Sequence, residues 1–223
     1  IADVLSGPGH TDWAKDAIVV ALYGIGGIIF LAFVATVELK LILSKTALQA
    51  VHEGNIAAGI VTSGSFIATS LIIASNVSGE GSGGNYYTPV IFFLVGQITL
   101  LAVTYLFRLL TAYDDAKEVM SGNSAAALSY AGVMIAVAIV VSHAIRGDFV
   151  DYETSLKDFG KSILVVLTLY PIRQFLVQGL LLGAGFRVYG GRLDEEISRD
   201  KNLSSGTIEA MMYVAAALLA VRM

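Results

Sequence analysis

The segment from Thr111 to Ile145 reads TAYDDAKEVMSGNSAAALSYAGVMIAVAIVVSHAI, and its layout decides the fold. A short charged stretch leads into Gly122-Asn123, which is followed by a long run of small and apolar residues. The same layout occurs earlier, as LQAVHEGNIAAGIVTSGSFIATSLIIASNV from Leu48 to Val77, and again as EISRDKNLSSGTIEAMMYVAAALLAVRM from Glu196 to Met223. Internal repetition of this kind indicates one small structural unit that is used several times.

Six stretches of the chain are long and apolar enough to cross a bilayer. A spanning helix needs about 20 apolar residues, and backbone groups in lipid must be satisfied within the helix. The composition agrees, because 56% of the 223 residues are hydrophobic and only 14% are charged, against about 25% in a soluble domain. The predicted spans are Asp16–Leu43, Asn55–Val77, Thr88–Thr111, Asn123–Ile145, Gly160–Phe186 and Ser205–Val221.

Three asparagines, Asn55, Asn123 and Asn202, align the copies. Small residues follow each asparagine, and we expect the asparagine side chains to cap the helices that begin there. A cation lies fifteen residues before each asparagine, and Gly64, Gly132 and Met211 lie nine residues after it. The three cations are Lys40, Arg108 and Arg187.

Each copy is predicted to be a helical hairpin, so successive copies enter the membrane from the same side. We therefore expect an all-α integral membrane protein with a single transmembrane domain. Its three tandem parallel hairpins, at about residues 16–77, 88–145 and 160–222, are expected to surround a pseudo-threefold axis along the membrane normal. Such parallel repeats differ from the inverted repeats of many transporters.

The repeated unit resembles a bacterial membrane family known as domain of unknown function 350. The matching residues are Tyr113-Asp114, Glu118, Gly122-Asn123 and Ala125–Ala127, and the stretch EGNIAAG from Glu53 to Gly59 matches again. The third copy departs from the pattern, with Lys201 in place of the glycine. The resemblance implies a bacterial inner-membrane protein of unestablished biochemistry, from a family associated with envelope-stress and membrane-remodelling gene neighbourhoods.

Lysine and arginine residues near the helix ends predict the orientation, because cytoplasmic loops carry more of them. The side with more cations is predicted to be cytoplasmic, which places both termini in the periplasm. Eight cations lie on one side and five on the other: Lys40, Lys45, Arg108, Lys117, Arg187, Arg192, Arg199 and Lys201 against Lys15, Arg146, Lys157, Lys161 and Arg222.

Arg173 is the most informative polar residue, because a charge inside the bilayer must face protein or water. It follows Pro171, whose ring nitrogen carries no hydrogen and leaves an upstream carbonyl free for the guanidinium. One interpretation is an ion or substrate pathway, or an anionic-lipid site, with Gln97 and Gln178 alongside. The other is a clamp between helices, in which Arg173 binds carbonyls and Gln97.

Glu38 and Glu209 are the possible acidic partners of Arg173, because both lie within predicted spans. Each lies within a few residues of a predicted cytoplasmic helix end, whereas Arg173 is expected near the middle of the fifth span. Direct pairing of Arg173 with Glu209 is therefore expected to require snorkelling or a helix shift. For Glu209, a role in proton relay and a satisfied carboxylate at the interface both remain open.

Lys40, Arg108 and Arg187 are expected to face the cytoplasmic headgroups. Two interpretations stay open: recognition of anionic lipid or of a partner, and ordinary anchoring of the helix ends.

Several kinds of site are not expected. The chain has no cysteine, its three histidines do not form a pair at one depth, and no nucleophile and base stand together, so we expect no metal, no cofactor and no enzyme activity. A net charge of −4 makes nucleic acid an improbable partner. The leading prediction is a non-catalytic structural or envelope-integrity protein that assembles with itself or with partner proteins. The alternative is a channel or transporter for a small ion or solute near Arg173.

Overall fold

The computed structural model describes residues 13–43, 47–77, 87–146, 149–187 and 189–222, and the regular structure in these ranges is entirely helical. Lys45, one of the cations used to predict orientation, lies outside them. In chain order the helices are α1 (Trp13–Ile42), α2 (Ala47–His52), α3 (Ile56–Val77), α4 (Thr88–Arg108), α5 (Asp115–Met120), α6 (Ser124–Ile145), α7 (Tyr152–Val166), α8 (Leu169–Arg173), a π-helix (Gln174–Leu181), α9 (Arg192–Ser198) and α10 (Leu203–Ala220).

The six predicted spans and the all-α class are confirmed. In the described ranges, six helical segments are long and apolar enough to cross a membrane: Gly24–Ile42, Ile56–Asn76, Thr88–Arg108, Ser124–Ile145, Tyr152–Leu181 and Leu203–Ala220. The fifth differs most from the prediction, since it begins eight residues earlier and ends five residues earlier. Its first half is amphipathic, with the ion pairs Glu153–Lys157 and Asp158–Lys161 on an exposed face, and hydropathy alone does not detect such a helix.

The same order of elements occurs three times: a long helical segment, a helix of six or seven residues, and a second long helix. We call the membrane side that carries the three short helices α2, α5 and α9 the linker side. The residue before each anchoring asparagine has a positive φ, at Gly54 (85°), Gly122 (87°) and Lys201 (49°). A glycine adopts this conformation without strain, so Lys201 is the costly version of the turn.

The predicted asparagine caps are confirmed. The side-chain oxygen of Asn123 accepts hydrogen bonds from the backbone N–H groups of Ala125 and Ala126, and Asn55 and Asn202 do the same at the starts of α3 and α10. The amide nitrogens also join the copies: Asn55 donates to the carbonyls of Val119 and Met120 in α5, and Asn123 donates to that of Ile197 in α9. Each copy is thus fastened to the next one along the chain.

Helix α6 is the centre of the bundle, with 78% of its spanning window buried. It packs closely against both α3 and α10, and small residues make this possible. A Cβ added to Gly64 of α3 would lie 2.7 Å from the Cβ of Ala131, and one added to Gly132 of α6 would lie 2.6 Å from that of Ala210 in α10. The two contacts are equivalent, because each joins the ninth residue after one asparagine to the eighth residue after the next.

The predicted pseudo-threefold arrangement is not confirmed. In the described part of the chain, α3 and α10 both pack on α6 but show no comparable packing against each other. The helices α3, α6 and α10 therefore form a row rather than a closed ring. At the free end of the row, Met211 occupies the position that Gly64 and Gly132 hold in the other copies, and its side chain is exposed.

We predict that Gly132→Ala destabilises the protein while Gly59→Ala does not. The added methyl group at position 132 collides with α10, and overpacking of this kind costs about 1–3 kcal/mol. Gly59 also lies in a helix, but none of the described residues comes within 4 Å of its added Cβ, so alanine there should be neutral or mildly stabilising. Unfolding in mixed micelles, followed by circular dichroism, measures both variants. Equal effects would contradict the close approach of α6 and α10.

Candidate functional site

Arg173 is fully buried and binds two carboxylates directly. Its Nε donates to Glu209 at 2.7 Å, and Nη2 donates to Asp194, so one guanidinium joins α8, α9 and α10. The side chains of Arg173, Glu209 and Asp194 are at most 2% exposed. The guanidinium also lies over the ring of Tyr170, with its carbon 5.6 Å from the ring centroid.

The local sequence explains how Arg173 reaches this position. Pro171 cannot donate to the carbonyl of Leu167, and the fifth span is interrupted there, between α7 and α8. The π-helix that follows carries two buried glutamines, Gln174 and Gln178. Gln174 donates to the hydroxyl of Tyr170, and Gln178 donates to the carbonyl of Gly185 beyond the end of the helix. Single turns of π-helix are rare and often lie at functional sites, and this one is eight residues long.

Arg108 forms a second buried ion pair at the end of α4. Its guanidinium binds both carboxylate oxygens of Asp115, and it donates to the hydroxyls of Ser129 (2.9 Å) and Tyr113 (2.8 Å). It also lies over the rings of Tyr113 and Tyr130. Burial raises the pKa of the Tyr113 hydroxyl well above its ordinary value, so this phenol stays neutral beside Asp115.

The two ion pairs lie next to each other, because Ser129 of α6 and Glu209 of α10 stand between two close contacts of these helices, Ala125 with Gly206 and Gly132 with Ala210. In order, the residues are Asp115, Arg108, Ser129, Glu209, Arg173 and Asp194, and we call these six residues the charge network. It contains two guanidinium groups and three carboxylates, which leaves one formal negative charge in excess. Asp115 and Asp194 both come from the first turn of a short linker-side helix.

The structure corrects two expectations about these cations. Arg108 is only 8% exposed and binds Asp115, so it does not face the headgroups, whereas Lys40 and Arg187 are exposed. The structural counterpart of Arg108 in the third copy is Arg173 rather than Arg187. The fifteen-residue spacing misled because the third copy contains the π-helix and an additional loop between its arginine and its short helix.

Direct pairing of Arg173 with Glu209 needs no helix shift. Arg173 is only eight residues from the end of the fifth span, at Leu181, and Glu209 is less than two turns into α10. The two residues therefore share one depth on the linker side. Gln97 is not a partner of Arg173, since both atoms of its side-chain amide are buried without a hydrogen-bond partner in the described chain.

Glu38 is separate from the charge network. It is 2% exposed, and one of its oxygens, Oε2, accepts hydrogen bonds from Ser65 (2.6 Å) and Thr69 (2.8 Å) of α3. The other oxygen, Oε1, is buried without a partner in the described chain. Glu38 lies near the end of α1, as expected from the sequence. Its side chain nevertheless contacts the middle of α3, because its partners Ser65 and Thr69 lie there.

Sequence reasoning missed Asp115, Asp194 and Ser129. A signal for the two aspartates was present, since each lies eight residues before the anchoring asparagine of its copy. No group of three or more histidine, cysteine, aspartate or glutamate side chains suited to a metal ion occurs among the described residues.

The fold and the charge network define a class: a multi-pass helical membrane protein with buried arginine–carboxylate pairs at one end of its helices. The chain belongs to the family described as Domain of Unknown Function (DUF350), whose family model matches residues 12–89 and 82–223. No curated protein and no solved structure matches the chain. Two overlapping matches to one domain agree with internal repetition.

We predict that Arg173→Met lowers the free energy of unfolding by about 3–5 kcal/mol, because it leaves two buried carboxylates without a counter-charge. Adding Glu209→Gln and Asp194→Asn to the same chain should recover much of the loss, since the unpaired charges are then removed. Lys157→Met is the matched control, because the Lys157–Glu153 pair is exposed and should contribute little. Unfolding in mixed micelles measures all three. A mild effect of Arg173→Met alone would contradict the description of the network.

Proposed function

We propose that this protein is a non-catalytic structural component of the bacterial inner membrane, with both termini in the periplasm and a role in the integrity of the envelope. The observation that supports this most is that Arg173 is bound to two buried carboxylates. Its charge is enclosed by Glu209 and Asp194 and serves to hold three elements together. An arginine that selects or moves a solute would instead be expected to face a water-filled path.

Self-assembly is part of the proposal, and α1 is the surface that we assign to it. Only 17% of the spanning window of α1 is buried, and its main neighbour is α3. In the described part of the chain, nothing lies within 4 Å of a Cβ added to Gly24, Gly26 or Gly27, whereas Gly64, Gly96 and Gly132 are each closed by a neighbouring helix. Glycine is unfavourable in a helix interior by about 0.5–1 kcal/mol unless another backbone approaches it. We infer that a second copy supplies this approach.

Anionic lipid is the expected surrounding on the linker side. Lys40 and Arg187 are exposed there. Arg187, Arg192 and Arg199 line a polar cavity of about 360 Å³, together with Glu195 and Glu196. Arg192 pairs with Glu196, and Arg199 pairs with Glu195 and with Asp200, so Arg187 is the guanidinium that we expect to meet a phosphate headgroup near this opening. The acidic chain as a whole offers nothing to nucleic acid.

We predict that the protein is extracted from native membranes as an oligomer, and that the double variant Gly26→Val/Gly27→Val is a monomer. The bulkier side chains hold two α1 helices apart. Native mass spectrometry from polymer-bounded discs gives the stoichiometry, and Gly59→Val in α3 is the control because its Cβ also meets open space. A monomeric wild-type protein without co-purifying partners would overturn the assembly proposal. A different co-purifying membrane protein would replace self-association by a hetero-complex.

The envelope role has its own test. Cells that lack the gene should leak a periplasmic marker under osmotic or detergent stress, and the wild-type chain should restore retention. The monomeric variant should fail to do so at equal abundance in the membrane. Normal retention in the deletion strain would contradict the envelope role without affecting the assembly result.

Transport is the second candidate, and one observation favours it. Gln97, Thr104 and Arg108 lie seven and four residues apart on one face of α4, and all three are buried. The side chains of Gln97 and Thr104 have no hydrogen-bond partner in the described chain. Buried polar atoms of this kind usually bind water, and a line of water along α4 is a path for a proton or a small ion.

If ions pass along the face of α4 that carries Gln97 and Thr104, the double variant Gln97→Leu/Thr104→Val should lower ion flux about tenfold. This corresponds to about 1.4 kcal/mol of added barrier. Flux into proteoliposomes under an imposed potential, read with a pH dye and with a sodium dye, measures the effect. Thr62→Val is the matched control, since the hydroxyl of Thr62 binds only the carbonyl of Ala58 in its own helix. Wild-type flux no greater than that of empty liposomes would exclude this candidate.

A further inference from the structure

Glu38 is a buried carboxyl group that lies against the central part of the α3 span, and the described residues give it no counter-charge. Its partners Ser65 and Thr69 lie roughly 14–20 Å along α3 from the first residue of that helix, which is the central part of the span. The described chain places no lysine or arginine within ion-pair distance of it. An isolated carboxylate in so apolar a setting is strongly disfavoured, so the group must bind a positive charge or a proton.

The surroundings of Glu38 are polar but uncharged. Helix α3 has no charged residue, and the one titratable residue of α2 is His52, which is exposed. On α1 itself, Lys40 is exposed two residues further on. The phenol of Tyr130 in α6 is near enough to interact electrostatically with the carboxyl group. Arg108 at the end of α4 is already bound to Asp115.

The hydrogen bonds of Glu38 engage only one of its two carboxyl oxygens. Both hydroxyl groups donate to the same oxygen, Oε2, so the carboxyl group is held in one orientation. Oε1 is fully buried and has no partner in the described chain. A carboxylate oxygen flanked by serine and threonine hydroxyls is a set of hard oxygen ligands, which suits a proton, a hydrated proton or an alkali-metal ion.

We propose that Glu38, Ser65 and Thr69 form an intramembrane site for one monovalent cation, either a proton or a sodium ion. The site is independent of the charge network, whose glutamate already binds Arg173. It is also independent of the structural role proposed above, since a scaffold and a transporter can both carry such a site. Binding and release of the cation would change the charge between α1 and α3.

A hydrophobic carbodiimide tests the proposal, because this reagent enters membranes and modifies carboxyl groups only in their protonated form. The purified wild-type chain in lipid discs is treated with dicyclohexylcarbodiimide, and the adduct is located by peptide mass spectrometry. We expect one adduct, on Glu38, at a rate that falls about tenfold per pH unit above the midpoint of titration. Glu209 is the internal control, since it is equally buried but paired with Arg173 and should not react.

Two additions separate the possible cations. Sodium chloride that slows the reaction, where choline chloride does not, identifies a sodium site, and Ser65→Ala or Thr69→Val should then weaken the protection at least several-fold. An unchanged rate with sodium, together with the dependence on pH, identifies a proton site. Glu38→Gln should show no adduct. The proposal is overturned if Glu38 does not react, or if its rate is the same at every pH. None of these outcomes depends on the oligomeric state or on envelope leakage.

Discussion

A guanidinium group in a bilayer cannot lose its proton and cannot remain without partners, and this constraint fixes the third copy of the repeated unit. Arg173 needs both Glu209 and Asp194, so α9 must lie over the start of α10 and beside the π-helix. The loop between the π-helix and α9 makes this possible, since Gly183, Gly190 and Gly191 have φ values of 61°, 63° and 133°. Removing one partner of a buried ion pair is strongly destabilising, whereas replacing the whole pair by apolar residues is often neutral. The pair therefore selects one arrangement of the helices more than it adds to the overall stability.

Close contact between helix backbones stabilises the packing of helices inside lipid, where the hydrophobic effect contributes little. Helices gain little from burying apolar side chains that lipid would cover equally well, so small residues and polar contacts decide which helices pack together. Helix α6 shows this, because α3 approaches it at Ala131 and α10 approaches it at Gly132. At the linker side, the side chains of Asn55 and Asn123 donate hydrogen bonds to the short helix of the following copy. Packing and hydrogen bonding therefore specify the same neighbours for each copy.

The spans and the caps could be predicted from sequence, because both depend on local physics: apolar length for the helices, and an asparagine after a residue with positive φ for their starts. The amphipathic start of the fifth span could not, since hydropathy averages out the charged face of α7. The correspondence between Arg108 and Arg173 could not be predicted, because counting residues back from each asparagine assumes equal spacing, and the third copy has a longer segment between its arginine and its short helix. Which carboxylate meets which arginine is a property of helix packing, and Asp115 and Asp194 carry no mark of it beyond their spacing. The burial of Glu38 depends on how far α1 extends alongside α3, which no local pattern encodes.

The exposed side chain of Met211 decides how closely another helix can approach that face of α10. Each existing junction relies on a residue without a side chain, and position 211 offers a flexible thioether there instead. A helix that packs on this face of α10 would therefore be held further away than α3 and α10 are from α6. Replacing Met211 by glycine would open that face to the same close backbone contact.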